Sequence, residues 1–127
     1  MVDAIKKAQQ AARKAIEATY FGTLTVREMQ KVKDDATKLT TQKEVVTLEN
    51  IPCRLSFETL QAAVQTSSAA TVTQGTKLFV SPDIEIKPGS KLTVTQDNVT
   101  TDYVRSGVPA VYPTHQEVML ELFEKYA

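Results

Sequence analysis

The chain has 127 residues, of which 42% are apolar and 24% are charged, and its fifteen basic residues balance fifteen acidic ones. This length fits one domain that buries its own core, and the apolar content is that of an ordinary globular protein. No window is apolar for long enough to predict a membrane helix, and a neutral chain is not expected to bind phosphate backbones tightly.

The first segment, residues 3–18, predicts an α-helix. Its Ala, Lys, Gln and Glu residues favour helix, and Asp3 suits the positive end of the helix dipole. The segment lacks the apolar central block of a secretory signal. Its apolar residues fall on one narrow face, made mostly of methyl groups: Ile5, Ala8, Ala12, Ala15 and Ile16. Such a face stabilises only modestly, so the helix either lies on its own domain or is an appendage that waits for a partner.

From Tyr20 onward apolar and polar residues alternate, which predicts β-structure. Residues 20–33 and 43–51 predict a long hairpin, and Pro52 suggests a kink or an edge position in the strand that follows. The stretch FETLQAAV, residues 57–64, suggests one or two helical turns. We therefore expect a helix at residues 1–19 and a β domain at residues 20–127.

The second half of the chain contains further short strands separated by turns. Pro88-Gly89 suits the centre of a type II turn within a hairpin, and residues 96–98 predict another turn. Gly107-Val108-Pro109 interrupts the strand that begins near Thr101. The tail from Thr114 fits either a strand or a helix, and we favour a strand for its first half. The fold class is mainly β: six to eight short antiparallel strands in a small barrel or sandwich, with an N-terminal α-helix.

One uncharged stretch, QTSSAATVTQGT at residues 65–76, contributes almost nothing to a core. We interpret it as a long loop at about residues 64–76. Long loops are often functional, but a solvated surface loop without a role is equally compatible with this sequence.

The sequence offers few groups for catalysis. Cys53 is the single cysteine and His115 the single histidine, and both are interpreted as structural rather than as a catalytic dyad. The pairs Asp83 with Glu85 and Glu117 with Glu121 fall on shared strand faces, where they are more typical of a solvated surface than of an acid–base or calcium site. We expect no enzyme activity, metal or cofactor.

The order of these segments along the chain resembles that of a known protein family. The Ala/Lys-rich helix, the long hairpin, IPCRLSF, the Ser/Thr-rich loop and TDYVRSGVPAVYPTHQEVMLEL follow one another as in small head–tail connector proteins of tailed bacteriophages and prophages. The most telling part is IEIKPGSKLTV, from Ile84 to Val94, followed by strands that contain Tyr103 and His115. The chain resembles the head-completion, or stopper, type over most of its length.

The resemblance implies a small β-barrel that joins a ring beneath the portal and adaptor rings after packaging. The ring closes the channel against loss of DNA and offers a docking surface to the tail, while the isolated protein can be monomeric. It acts in the virion neck, after assembly in the bacterial cytoplasm, and double-stranded DNA passes it without sequence recognition.

Two sets of residues acquire roles from this resemblance. A long loop of the stopper type projects into the channel, where a segment without basic residues would not grip phosphates. The channel or gating loop comprises Gln65, Thr66, Ser67, Ser68, Thr71, Val72, Thr73 and Gln74. We expect Val72 to be the point of strand pairing between neighbouring copies. The helix docks on the portal or adaptor ring through its methyl-lined face and four cations: Lys6, Lys7, Arg13 and Lys14.

Two other functions stay open. The nearest is another ring of the same neck, either the tail terminator or an adaptor. The second is a small nucleic-acid-binding β-barrel, against which the neutral charge and the scarcity of aromatic residues argue. An enzyme that uses a carboxylate pair is a distant third.

Overall fold

A computed structural model describes residues 2–61 and 72–126 of the chain, and in these ranges one helix precedes six strands. The elements are α1 (Val2–Glu17), β1 (Gly22–Lys33), β2 (Thr40–Gln61), β3 (Val72–Val80), β4 (Lys91–Gln96), β5 (Val99–Val111) and β6 (Gln116–Leu122). All pairs are antiparallel, and the sheet closes in the order β1-β2-β3-β6-β5-β4. The fold is a closed six-stranded barrel with an N-terminal helix, which confirms the predicted class. Within the described ranges, no helix is long and apolar enough to span a membrane.

Alternation along each strand builds the core, because every second side chain of a strand points into the barrel. Leu24 and Val26 on β1 are buried, as are Leu92 and Val94 on β4. The same period on the other strands completes the core with Cys53, Leu55, Leu78, Val80, Tyr103, Val118 and Leu120. The charged residues between them face solvent, so the period of two in the sequence directly specifies the inside of the barrel.

Two turns predicted from the sequence are confirmed by the backbone. The Ser90 N–H donates to the Lys87 carbonyl at 3.3 Å, and Gly89 has a φ of +82°, as a type II turn requires. Asp97 and Asn98 both have positive φ, 54° and 64°, and form the two-residue connection between β4 and β5.

The Pro88-Gly89 turn does not lie in a hairpin, however, because residues 84–87 are not a strand. Ile86 is buried in the core instead. The Gln116 amide donates to the Ile84 carbonyl at 2.8 Å and to the Ser81 carbonyl at 3.2 Å. The Arg105 guanidinium donates to the Ile86 carbonyl. Side chains from β5 and β6 therefore satisfy backbone groups that a neighbouring strand would otherwise pair.

Two other local predictions need correction, and a third is confirmed. Residues 57–61 continue β2 as a strand rather than forming helical turns, because they pair with β3 from Phe57–Thr76 to Gln61–Val72. The kink predicted at Pro52 is confirmed as a register shift within β2, at which Asn50 has a φ of 55°. Gly107, with a φ of 71°, lies in a second register shift, and β5 continues beyond it to Val111. At Pro52 and at Gly107 the strands therefore contain bulges and continue beyond them.

The start of β1 depends on a close approach of three strands. The Leu55 N–H donates to the Gln96 side-chain oxygen at 2.8 Å, and the Gln96 amide donates to the Leu55 carbonyl at 3.3 Å. A Cβ on Gly22 would lie 3.2 Å from this same Gln96 oxygen and 3.1 Å from the Cys53 carbonyl oxygen. Glycine at position 22 therefore lets a β4 side chain reach β2 past the first residue of β1.

Candidate functional site

The helix α1 exposes most of its apolar face. Residues 2–12 are exposed except for the half-buried Gln9, and none of the helix is fully buried. Ile5 is 59% exposed. We define the apolar stripe as Ile5, Ala8 and Ala12, which follow one another at helical spacing on one face. Of the two interpretations made from the sequence, these exposures favour the appendage.

Only the last turns of α1 are held by the barrel. The Arg13 guanidinium donates to the Asp83 carboxylate at 2.7 Å, to the Ser81 hydroxyl at 2.7 Å and to Glu17 at 3.0 Å. The hydrogen bonds to Asp83 and then to Glu17 raise the pKa of Arg13. Ile16 is half-buried beside Phe79. Arg13 thus anchors the helix to the segment that follows β3.

The other three cations of the predicted docking helix have no carboxylate partner of this kind in the described ranges. Lys6, Lys7 and Lys14 are exposed, and none of them has an ion pair within residues 2–61 and 72–126. The structure therefore separates the predicted set into one anchoring arginine and three lysines available to a partner.

Two long hairpins extend past the closed part of the barrel. The first arm comprises residues 28–33 of β1 and 40–45 of β2, and it begins where the pairing of β1 with β4 ends, at Arg27. The second arm comprises residues 57–61 of β2 and 72–75 of β3, and it begins where the pairing of β3 with β6 ends, at Thr76. At about 3.4 Å per residue, each arm adds roughly 15–20 Å to the barrel. Both arms include β2, one at each end of that strand.

The second arm carries the predicted channel loop. Gln65, Thr66, Ser67, Ser68 and Thr71 lie outside the described residues, between Gln61 and Val72. The remaining three loop residues, Val72, Thr73 and Gln74, belong to β3 and pair with Gln61, Leu60 and Thr59. β3 therefore begins within the stretch that the sequence suggested as loop. The strand pairing that we expected of Val72 between copies is made on one edge within the chain, and in the described ranges its other edge has no strand partner.

Comparison with known proteins gives little beyond this geometry. No family model matches the chain, and no curated protein matches it. One solved structure is similar, with a TM-score of 0.47. It is the phage-like element PBSX protein xkdH from Bacillus subtilis, at 11% identity over 80% of this chain and 94% of that chain. A likeness at this level carries no argument about the chain.

The two residues considered as a dyad have separate surroundings. Cys53 is fully buried in the core, and burial raises the pKa of its thiol to about 12. His115 is stacked on Tyr112 with ring centroids 4.8 Å apart, and its nitrogens lie 2.9 Å from the Thr114 hydroxyl and 2.8 Å from the Glu117 carboxylate. The thiol is therefore a poor nucleophile, and the imidazole is engaged with its own surface neighbours.

This burial predicts very slow labelling of Cys53 by a thiol reagent in the folded protein. We expect a rate at pH 8 at least about a thousandfold below that of the chain in urea, because an ordinary stability keeps the open state rare. The measurement is the release of thionitrobenzoate with and without denaturant. Labelling at the free-thiol rate in native buffer would contradict the position of Cys53 in the core.

The acidic pairs also differ from their sequence description. Asp83 and Glu85 lie between β3 and β4 rather than on a strand face. Glu117 and Glu121 do share the outer face of β6. The hydrogen bond from His115, and then Lys77 at 3.1 Å, lower the pKa of Glu117. Within the described ranges, no group of three or more His, Cys, Asp or Glu side chains is placed to hold a metal ion.

A further surface was not identified from the sequence. Phe57 and Leu122 continue the inward-facing rows of β2 and β6, yet they are 52% and 68% exposed because they lie past the last closed turn of the barrel. Tyr103 and Leu120 form the buried side of the groove between them, which has a volume of about 810 Å³. The alternation of each strand would have indicated these side chains, but only the register shows where the barrel ends.

Proposed function

We propose that this chain is a phage or prophage structural protein of the head–tail connector, which closes the portal channel after DNA packaging and provides a docking surface for the tail. The sequence resemblance supports this function. The observation that carries it is the second arm, which extends a hairpin beyond a closed barrel and leads into an uncharged segment. A compact barrel supplies a rigid ring subunit, and the arm supplies a means to reach the channel axis.

In this function the chain works by shape and by surface complementarity. The barrel is expected to sit beneath the portal and adaptor rings, in a ring of copies that forms on that template. The segment at residues 62–71 narrows the channel, where its lack of charge lets DNA pass without being held. The tail then docks on the face of the ring that is opposite the capsid.

Removal of the gene from the phage or prophage that encodes the chain tests this proposal. We expect capsids that package DNA, fail to retain it and carry no tails, and we expect full-length protein supplied in trans to restore them. The measurements are electron microscopy of the particles and the amount of nuclease-protected DNA. Normal tailed particles would overturn the proposal.

Other results, from the gene removal or from a DNA-binding assay, would favour the alternative functions. DNA-retaining heads with tails of irregular length would indicate a tail terminator, and heads that bind no further neck protein would indicate an adaptor. Strong, salt-dependent binding of labelled DNA by the purified chain would instead favour a nucleic-acid-binding barrel.

Deletion of residues 2–18 is expected to abolish head completion while leaving the barrel folded. No side chain of α1 is fully buried, so its removal costs the core little. The measurements are urea unfolding of the truncated barrel and the yield of tailed particles. A truncated chain that still completes heads would show that α1 has no part in assembly.

A further inference from the structure

The groove at the end of the barrel and the exposed stripe of α1 have complementary surfaces. We define the barrel-end groove by its apolar wall, Phe57, Tyr103, Leu120 and Leu122, and by a charged rim that carries one net negative charge (1 − 2), made of Glu121, Glu124 and Lys125. Phe57 and Leu122 are among the more exposed large apolar side chains of the described residues. Water-exposed apolar walls bordered by polar groups are typical of sites that receive another protein segment.

The charged rim is held in place by contacts near the C-terminal end of β6 and after it. The Phe123 N–H donates to the Asp102 carbonyl at 3.1 Å, and the Phe123 and Tyr126 rings meet edge to face at 4.9 Å. The Lys91 ammonium lies 5.2 Å from the Phe123 ring centroid and 5.7 Å from that of Tyr126. These contacts fix the residues on both sides of Glu124 and Lys125, so these two residues belong to the groove rather than to a free tail.

The stripe of α1 presents the opposite chemistry. Ile5, Ala8 and Ala12 offer a narrow, shallow apolar edge that a groove can enclose closely. At 100° per residue, Lys6 and Lys7 lie about 130° to either side of the centre of this edge, so their charges reach a groove that encloses it only through their long side chains. The helix carries four basic residues against two acidic ones, Asp3 and Glu17, which gives it a net charge of +2 (4 − 2). A basic helix with an apolar edge complements an apolar groove whose rim has a net negative charge.

The helix α1 does not occupy the groove of its own chain in this structure, because the two lie far apart. The pairing of β3 with β6 runs from Thr76–Leu120 at the groove to Val80–Gln116 at the other end. Arg13 ties α1 to Ser81 and Asp83, beyond that other end. The stripe itself is exposed. The complementary surfaces therefore lie at opposite ends of one strand pair, and a second copy is needed to join them.

We infer that α1 of one copy docks in the barrel-end groove of a second copy, head to tail, rather than on the portal or adaptor ring. Such a contact joins two different surfaces and leaves one of each free, so repetition produces a closed ring or an open filament. The contact buries few large side chains, so one contact is weak, and ring closure or a template is needed to make the assembly stable. The inference rests on the proposed function only for the place of this ring in the neck.

Disulfide trapping in the full chain tests the contact. We expect the double variant Ala8→Cys with Leu122→Cys, kept at millimolar concentration under mild oxidation, to form a ladder of covalent oligomers. The native Cys53 is buried and should not compete. The matched control is Ala8→Cys with Leu39→Cys, because Leu39 is 63% exposed, as Leu122 is 68% exposed, but lies at the tip of the first arm. No ladder, or an equal ladder from the control, would overturn the inference.

Charge reversal tests the direction of docking. One copy carries Ala8→Cys with Lys6→Glu, Lys7→Glu and Lys14→Glu, and the other carries Leu122→Cys with Glu121→Lys and Glu124→Lys. Either reversed copy mixed with an unreversed partner should cross-link about tenfold more slowly, since several exposed pairs are lost together. The two reversed copies mixed together should recover the rate. Unchanged rates in all mixtures would overturn the assigned pairing.

The two proposals fail in different ways. A missing ladder together with defective particles after gene removal would leave the neck function in place and remove only this contact. A directional ladder together with normal tailed particles would keep the contact and remove the neck function.

Discussion

Replacement of Leu78 by alanine is expected to lower the free energy of unfolding by about 2–5 kcal/mol, the range for deletion of a buried leucine side chain. Leu78 has no exposed surface, and its register partners are Leu55 on β2 and Val118 on β6, both of which are buried. The closed sheet leaves its neighbours little freedom to collapse into the space. Urea unfolding should show a lower midpoint with an unchanged slope.

Met119→Ala is the matched control, because it removes a side chain of similar size. Met119 follows Val118, the partner of Leu78 on β6. Met119 is 41% exposed on the outer face of the barrel. The control should cost less than about 1 kcal/mol, as for surface positions generally. Equal losses from Leu78→Ala and Met119→Ala would mean that the assigned inner and outer faces of the sheet are wrong.

The inward face of each strand can be recognised from the sequence for a physical reason. A strand exposes one face to solvent and buries the other, so the apolar Leu92 and Val94, with Thr93 between them, indicate which side faces inward. The turns at Gly89 and at Asp97-Asn98 were predictable because their backbone requires positive φ, which few residues adopt easily. The fold class therefore followed from local rules.

The errors arose where pairing over long sequence separations overrides local preference. Residues 57–61 have helix-compatible spacing, but β3 offers them a complete set of strand hydrogen bonds. Ile84 and Ile86 alternate like a strand, yet Gln116 and Arg105 supply their backbone partners. Neither partner is near in sequence, so no local pattern could reveal it.

The candidate surfaces were predictable to different degrees. The methyl-lined face of α1 follows from helical periodicity, but its exposure depends on the fold, because Arg13 binds Ser81 and Asp83 and holds only the last turns of the helix. The exposure of Phe57 and Leu122 depends on where the barrel closes, which is a property of the register and not of composition. The sequence thus indicated what these side chains are, and only the fold decides which of them remain available to a partner.

Introduction of lysine into the segment carried by the second arm is expected to impair DNA release. In the proposed function, Ser67→Lys with Ser68→Lys places two cations from every copy of the ring around the channel. Their combined attraction to phosphates should slow the release of DNA from triggered particles by about tenfold or more, and added salt should reduce the defect as counterions compete. The measurement is the time course of nuclease-accessible DNA.

The variant Ser67→Asn with Ser68→Asn, which changes size without charge, is the control and should release DNA normally. Since these positions lie between the two strands of the arm and outside the described core, both variants should unfold at the urea concentration of the parent chain. Release at the parental rate from particles that contain the lysine variant would place the segment away from the DNA path, and the proposed closure of the channel by this arm would then be wrong.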